Sequence, residues 1–302
     1  MVTVAVIPSS TASGASSVDA PVWCSYRVLG SWSRASLEKT YRVYPRAGAS
    51  LASTTVRYSS LSEITRLFHS SRLETGDVLR LSEEEGHHVH KVLRGRTGDR
   101  VEVVDDTGRL FVARLLGGYE AAILEERPTG GDEEREVVLY QAVPKGRHMD
   151  LVVEKATELG VSRVVPLSTE RCVVRFSEND GKVRRWRRVA EAAARQSLQL
   201  RIPEVAEIVS FPDAVREAGE TGVLLHNGVD LPHLEDCVSG SALNLFVGPE
   251  GGWSDGELAR AGEAGFYLAS LGPHRLRSET AGIVAVARAC TLVARTRSVG
   301  SS

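Results

Sequence analysis

The stretch LFVGPEGG at residues 245–252, followed by LGPHRLRSETA at residues 271–281, decides the fold of this chain. An apolar, strand-length run leads into each loop; the first loop is rich in glycine, and the second carries arginine and glutamate. Between them SDGE at 254–257 forms a capping box, which predicts a helix running to about Ala264 and stopping at Gly265. Loops of this kind at the carboxyl ends of neighbouring strands form the ligand crevice of an open α/β sheet.

The residue types of the two loops suit a ligand, although simpler interpretations exist. Glycine lets the first loop turn tightly and approach a ligand closely, and Pro249 stiffens the turn. In the second loop Arg277 and Glu279 precede an apolar helix. The alternatives are a strand-to-helix turn without a ligand, and a helix-capping Glu279 paired with Arg277.

Together the two loops resemble the SPOUT class of RNA methyltransferases, and more narrowly the family that methylates N3 of a uridine in small-subunit (16S) ribosomal RNA. The resemblance covers about residues 64–294 and extends to four further stretches. These are HHVHKVLR at 87–94, VPKGRHMD at 143–150, EKATELGV at 154–161 and PLSTERCVV at 166–174.

This resemblance implies a fold, a cofactor and an assembly. The fold is an α/β, SPOUT-type parallel sheet with a C-terminal trefoil knot, preceded by a small PUA-like β-barrel domain. The cofactor is S-adenosylmethionine, held by backbone amides of the two loops, and the assembly is a homodimer with its active site near the subunit interface. The implied cofactor-binding residues are Leu225, Gly248, Pro249, Glu250, Gly251, Gly252, Leu271, Gly272 and Leu276.

Methylation at uridine N3 sets its own chemical requirement, because N3 carries a proton that must be lost before the nitrogen attacks. A base, a cation near the uracil carbonyls, or both can meet that requirement. Arg277 is the candidate cation, and Glu279 and Glu250 are candidates for the base or for a group that orients it. The reaction needs no metal, and the target base must be unpaired or flipped out.

The pattern of apolar runs divides the chain into domains without help from the resemblance. After residue 136 strand-length runs alternate with helical patterns, which predicts a parallel sheet covered on both faces. Short strand-like runs and a turn signal at 105–108 predict a small β-barrel before it. The predicted divisions are a disordered leader at 1–62, the PUA-like domain at 63–128, a linker at 129–135, the methyltransferase domain at 136–296 and a disordered tail at 297–302.

The leader has a composition unlike the rest of the chain. Residues 1–62 are rich in Ser, Ala and Val and carry six Lys or Arg but two acids, a formal charge of +4, whereas the whole chain carries −2. Such a composition is typical of an organelle transit peptide, and the alternative is a merely disordered tail. The uncharged start favours the chloroplast over the mitochondrion, and processing is expected near residues 55–62.

Composition and motifs exclude several classes of protein. The chain has 42% hydrophobic and 25% charged residues, and no run of about 18 apolar residues that would span a membrane. Its four cysteines are scattered, and His87, His88 and His90 lack nearby cysteines or spaced acids, so neither a disulfide framework nor a metal site is expected. Neither an early Gly-x-Gly-x-x-Gly nor a P-loop is present.

RNA binding requires local positive charge, because phosphate contacts supply most of the non-specific affinity. The segment KVRRWRR at 182–188 is the densest basic run, and it starts a predicted helix whose apolar stripe includes Trp186. A solvated helix face is the alternative for the arginines, and a base-stacking platform is the alternative for Trp186. The candidate RNA-binding residues are Arg94, Lys145, Arg147, Arg171, Arg184, Arg185, Arg188, Arg195 and Gln196.

The sequence also departs from the family at visible points. Gln199 and His274 stand where relatives commonly carry arginine, which leaves the mode of RNA engagement and the target nucleotide open. The expected partner is small-subunit ribosomal RNA or the small ribosomal subunit. A non-catalytic RNA-binding factor in ribosome assembly that kept the fold is the competing function.

Overall fold

The structure is a computed structural model that describes residues 27–30, 41–44, 66–92, 95–129, 136–172, 181–219, 222–228, 230–237 and 242–299. The chain forms two compact units, Met1–Glu63 and Ile64–Ser302. In the first unit Arg27–Gly30 (β1) pairs antiparallel with Tyr41–Tyr44 (β2), within the leader predicted to be disordered. Tyrosine and valine favour strands, and the composition of the whole leader hid these two short runs.

The small domain of the second unit is a five-stranded sheet in the order β3-β5-β6-β7-β4. Only the β3–β5 pair is parallel, and the strands enclose one core that includes Phe111 and Leu115. A helix begins at Glu83 and turns π-helical at His88. The strands are Arg66–Phe68 (β3), Val78–Arg80 (β4), Arg100–Val104 (β5), Leu110–Leu115 (β6) and Glu120–Arg127 (β7), and the helix is Glu83–His87 (α1) followed by the π-helical turn His88–Val92.

The predicted turn between β5 and β6 is built around Asp105. Its carboxylate accepts hydrogen bonds from the Thr107 hydroxyl (2.7 Å) and from the Arg109 guanidinium (2.7 Å). Burial alone raises the pKa of Asp105, but hydrogen bonds from Thr107, Arg109 and Leu73 outweigh it and lower the pKa to about 2. Gly108 follows at φ +83°, a conformation that glycine adopts without strain.

The large domain is built on a sheet in the order β10-β9-β8-β13-β12-β14, with β11 also paired to β9. Every pairing is parallel, as the alternation of strand and helix patterns predicts. The two-residue strands at the β9 side were not predicted. The strands are Glu136–Ala142 (β8), Arg163–Ser168 (β9), Glu204–Val205 (β10), Val209–Ser210 (β11), Gly222–Leu225 (β12), Ala242–Val247 (β13) and Tyr267–Ala269 (β14).

Helices cover both faces of this sheet. One core joins the sheet to α2, α3 and α7 through Met149, Trp186 and Val286, and a second joins the opposite face to α4 and α6 through Phe211 and Ala261. The helices are His148–Glu158 (α2), Lys182–Gln196 (α3), Phe211–Ala218 (α4), Leu234–Cys237 (α5), Asp255–Glu263 (α6) and Ser278–Val299 (α7). None of the helices in the described ranges is long and apolar enough to cross a membrane.

The last helix returns from the edge of the sheet to its centre. Although α7 follows the edge strand β14, it packs on β8, β13 and α2. This path brings its first residues beside the loop that follows β13. The threading that would make the path a trefoil knot remains a prediction.

Candidate active site

The loops at 248–252 and 271–277 lie at the same edge of the sheet, the one formed by the carboxyl ends of its parallel strands. They follow β13 and β14, and β12 lies between these two strands. The loop after β8 reaches the same edge, because β8 is the other parallel neighbour of β13. The topology therefore brings together three loops, at 143–147, 248–252 and 271–277, as the sequence predicts for the last two.

The glycines of the first loop leave its backbone open where side chains would collide. A Cβ on Gly248 would lie 3.0 Å from the Trp253 ring, and a Cβ on Gly251 would lie 3.1 Å from the Cβ of Arg171. Gly252 has φ +70°, and its N–H donates to the Pro249 carbonyl at 2.9 Å. The Trp253 indole N–H donates to the Leu225 carbonyl at 2.9 Å, which ties the loop to the end of β12.

A buried chain of hydrogen bonds fastens this loop to α7 and to β8. The Gln141 side-chain amide donates to Ser278 Oγ at 2.9 Å, and the Ser278 hydroxyl donates to the Gly248 carbonyl at 2.6 Å. Gln141 is fully buried, and a Cβ on Gly282 would lie 2.2 Å from its Oε1 atom. Ser278 therefore fixes the start of α7 against the first loop, and with it the neighbouring Arg277 and Glu279.

Glu250 has a role other than that of a free base. Its Oε1 atom accepts a hydrogen bond from the backbone N–H of Lys145 at 3.0 Å, and its carbonyl oxygen lies 3.4 Å from the Arg275 guanidinium. The Arg171 guanidinium donates to the neighbouring Gly251 carbonyl at 3.2 Å. Glu250 thus joins the three loops, and of its two predicted roles the geometry favours orientation.

The pair of charges at the start of α7 is split between two environments. Arg277 is exposed, and its guanidinium makes no hydrogen bond or ion pair with any residue in the described ranges. Glu279 is 8% exposed, and its Oε1 atom lies 3.6 Å from Nδ1 of His148, the first residue of α2. The simple alternative of a Glu279–Arg277 ion pair is therefore not what the structure contains. Sequence reasoning overlooked His148, although it lies inside the quoted stretch VPKGRHMD.

Three arginines of the basic helix α3 form ion pairs with acids of the protein itself. Arg185 binds Asp150 at 2.8 Å, Arg187 binds Glu207 at 2.9 Å, and Arg195 binds Glu191 at 2.6 Å. Arg184 and Arg188, by contrast, are exposed and make no ion pair with an acid of the described residues. Trp186 is 1% exposed and donates to Asp150, so the prediction that it belongs to the core is confirmed.

The described members of the predicted RNA-binding set are spread between the crevice and the far end of α3. Arg147 is highly exposed and lies 3.8 Å from Asp150, the same carboxylate that binds Arg185, so the start of α3 adjoins the crevice. Gln196 is exposed, but it and Arg195 lie about ten residues or ~15 Å further along the helix. There Arg195 also approaches Glu85 of the small domain at 3.6 Å. Lys145 and Arg171 are exposed at the crevice, and Arg94 lies outside the described residues.

The junction of the small and large domains is held by Arg66. Its guanidinium donates to Glu102 (Nε to Oε2, 3.1 Å) and to the backbone carbonyls of Leu198 and Gln199. The Gln199 side chain in turn donates to the Glu158 carbonyl at 3.2 Å. Gln199, where relatives commonly have arginine, is thus part of a structural junction, while His274 is exposed in the second loop.

Known proteins share both domains of this chain. An RNA methyltransferase domain profile matches residues 132–290, and an RNA methyltransferase PUA domain profile matches residues 81–118. The ribosomal RNA small subunit methyltransferase E of Mycobacterium bovis is 35% identical over 249 residues, which cover 77% of this chain and 94% of that protein. The Synechocystis protein of the same name is 36% identical over 67% of this chain and 69% of its own length.

Solved structures of methyltransferases also resemble this chain. A methyltransferase from Legionella pneumophila with bound S-adenosylmethionine superposes with a TM-score of 0.69 at 31% identity, over 77% of this chain and 98% of that one. The ribosomal RNA small subunit methyltransferase E of Neisseria gonorrhoeae, also bound to S-adenosylmethionine, gives 0.69 at 30% identity, over 76% and 98%.

The parallel sheet, the preceding PUA domain and the glycine loop beside α7 define an RNA methyltransferase. Within that class, the chain belongs to the ribosomal RNA small subunit methyltransferase E family. The predicted fold class and the predicted rRNA methyltransferase are confirmed. The homodimer and the roles of individual residues remain predictions.

Proposed function

We propose that this protein transfers the methyl group of S-adenosylmethionine to N3 of a uridine in small-subunit ribosomal RNA. One observation carries the proposal most directly: the loop at 248–252 is held open between Trp253, Ser278 and Arg171 at the edge of the sheet where ligands bind. Family membership supports the substrate class, and the cofactor bound to two solved relatives supports the methyl donor.

The residues of the crevice fit an adenosyl group. Glycine at 248, 251 and 252 leaves backbone groups accessible, since a Cβ at 248 or 251 would press on Trp253 or Arg171. Backbone amides of 248–252 and of 271–276 would hold the group, with the apolar side chains of Leu225, Leu271 and Leu276 beside them. When bound, S-adenosylmethionine supplies an electrophilic methyl group on a sulfonium.

The side chains of the protein then position and activate the uridine. As N3 loses its proton, negative charge spreads to the uracil carbonyl oxygens, and the exposed guanidinium of Arg277, which has no partner among the described residues, would stabilise that charge. Ser278 holds Arg277 at this edge through its bond to Gly248. The uridine must leave any base stack to present N3, and Lys145, Arg147 and Arg171 surround the crevice to hold the flanking phosphates.

Two finer features belong to the same proposal. The first is a homodimer, in which a second copy of the chain completes the crevice. The second copy also enlarges the protein surface that binds the RNA of the small ribosomal subunit. Light scattering of the purified protein tests it, and a monomeric mass in the active preparation contradicts it.

The second feature is a transit peptide in residues 1–62 that directs the protein to an organelle, with the chloroplast favoured over the mitochondrion. The acid-poor composition with Ser and Arg supports it. Sequencing the N-terminus of the protein isolated from its cell tests this. A mature chain that begins near residues 55–62 supports it, and an intact Met1 contradicts it.

The alternative function is a ribosome-assembly factor that keeps the fold but not the chemistry. Calorimetry with S-adenosylmethionine, followed by mapping of methylated nucleosides in small-subunit RNA with and without the protein, separates the two. Cofactor binding together with a protein-dependent N3-methyluridine supports the enzyme. RNA binding without cofactor binding or methyl incorporation supports the assembly factor.

A further inference from the structure

We propose that His148 is the general base that removes the N3 proton of the target uridine, with Glu279 holding its imidazole in place. The inference rests on the proposed function and deepens it, because it assigns the one chemical step that the loops and Arg277 do not perform. It is carried by the position of His148 between a buried carboxylate and the open edge of the crevice.

The contact between His148 and Glu279 leaves the other ring nitrogen of His148 free to act as a base. Nδ1 of His148 lies 3.6 Å from Oε1 of Glu279, and half of the His148 side chain is exposed while the Glu279 side chain is 11% exposed. A modest rearrangement closes this distance to a hydrogen bond, as is common when a substrate-free site takes up its ligand. With Nδ1–H directed at the carboxylate, Nε2 carries the lone pair that can accept a proton.

Glu279 is held in a fixed position. It is the second residue of α7, where free backbone N–H groups and the helix dipole stabilise a negative charge. Its neighbour Ser278 is bound to both Gln141 and Gly248. A carboxylate anchored in this way orients the imidazole and stabilises the imidazolium that forms.

The proton balance of the step is complete with these groups. The N3–H bond of the uridine breaks, its proton moves to Nε2 of His148, and the electron pair stays on N3. That pair forms the bond to the methyl carbon, while the bond from that carbon to the sulfonium breaks and its electron pair stays on sulfur, so that a neutral thioether leaves. His148 then releases the proton to water, and no further reactant is required.

The charges around His148 come from all the elements that surround it. Its own segment contributes Lys145, Arg147 and Asp150, of which Asp150 is bound to Arg185 of α3. The loop after β13 contributes Glu250, and the loop after β14 contributes Arg275 and Arg277. Among the described residues, Glu279 is the acid within ion-pair reach of the imidazole.

The test uses His148→Ala in the full chain, assayed on small-subunit RNA at saturating S-adenosylmethionine. Loss of a general base predicts that turnover falls about 10²–10⁴-fold, while calorimetry gives unchanged affinities for cofactor and RNA. Added imidazole should restore part of the activity. RNA carrying 5-fluorouridine, whose N3 proton is more acidic, should narrow the gap between variant and wild type, an effect that a structural role would not produce.

Two further variants complete the design. His148→Gln, a smaller change, guards against misfolding of the alanine variant, and His69→Ala, at a histidine of the small domain, should keep its full activity. Full turnover in either His148 variant, or a loss matched by equal loss of cofactor or RNA affinity, overturns the assignment. If the wild-type protein itself forms no N3-methyluridine, the proposed function fails instead.

Discussion

The loop at 248–252 and the basic helix α3 were both candidate functional regions, but the structure uses their residues in different ways. The glycine loop is fixed beside the crevice by hydrogen bonds from the side chains of Trp253, Ser278 and Arg171. In α3, three of the arginines that give the helix its basic character are bound to acids of the protein itself, at Asp150, Glu207 and Glu191.

The difference lies in what each signal measures. Glycine in a strand-to-helix loop indicates that a side chain would not fit at that position, or that the backbone needs a conformation which other residues disfavour. This requirement is local and does not depend on distant parts of the chain. A run of arginine reports only charge along the chain, whereas the field felt by RNA depends on which acids fold back onto that run. Arg184 and Arg188 are left without an acid partner among the described residues, whereas Arg185 and Arg187 are ion-paired.

Of the variants that test this comparison, Arg277→Ala should have the largest effect, because the Arg277 guanidinium has no hydrogen-bond or ion-pair partner among the described residues. Removing one preorganised donor to a developing negative charge costs about 10²–10³-fold in turnover, so Arg277→Ala should lose activity to that extent while cofactor binding persists. Methyl transfer under saturating cofactor, paired with calorimetry, measures both quantities. Arg260→Ala on the exposed face of α6 is the control, and undiminished turnover in Arg277→Ala would remove this residue from the mechanism.

A steric change in the same loop should act on cofactor binding instead. In Gly251→Val the first added carbon would lie 3.1 Å from the Cβ of Arg171, and the branch methyls would reach further into the crevice. We expect the affinity for S-adenosylmethionine to fall by a factor of ten or more, about 1.4 kcal/mol or above, measured by calorimetry. Gly262→Val in α6, where nothing lies within 4 Å of an added Cβ, is the matched control. Normal affinity in Gly251→Val contradicts the loop assignment.

The same contrast explains how much the sequence could predict. The order of strands and helices from β8 to α7 follows from hydrophobic patterns, and the capping box at Ser254 was predicted to the residue. The Gln141–Ser278–Gly248 chain was not, because its members are 30 and 137 residues apart and share no periodicity. His148 was missed for a similar reason: its partner Glu279 comes from the other end of the domain.

Ser278 offers a smaller and sharper test of what holds the loop. Ser278→Ala leaves the partly buried Gly248 carbonyl without this donor, and an unsatisfied buried group costs about 1–3 kcal/mol. If that cost falls on the loop, cofactor affinity should drop about tenfold. Ser278→Thr keeps the hydroxyl and should restore the affinity. Equal affinities in the alanine and threonine variants would show that packing of α7 alone positions the loop.

The smallest expected effect distinguishes the arginines of α3 that lack an acid partner among the described residues from those that form ion pairs. Each phosphate contact to single-stranded RNA contributes about 0.7 to the slope of log affinity against log salt. The double variant Arg184→Ala, Arg188→Ala should therefore lower that slope by ~1.4 with thermal stability unchanged.

The matched double variant, Arg185→Ala with Arg187→Ala, should do the reverse, because it removes one ion pair of Asp150 and the ion pair of Glu207 and leaves Arg184 and Arg188 in place. Its melting temperature should fall, and its salt slope should stay close to that of the wild type. Equal slopes in the two variants would mean that the ion pairs of α3 open when RNA binds, and that charge density along the sequence was the better guide after all.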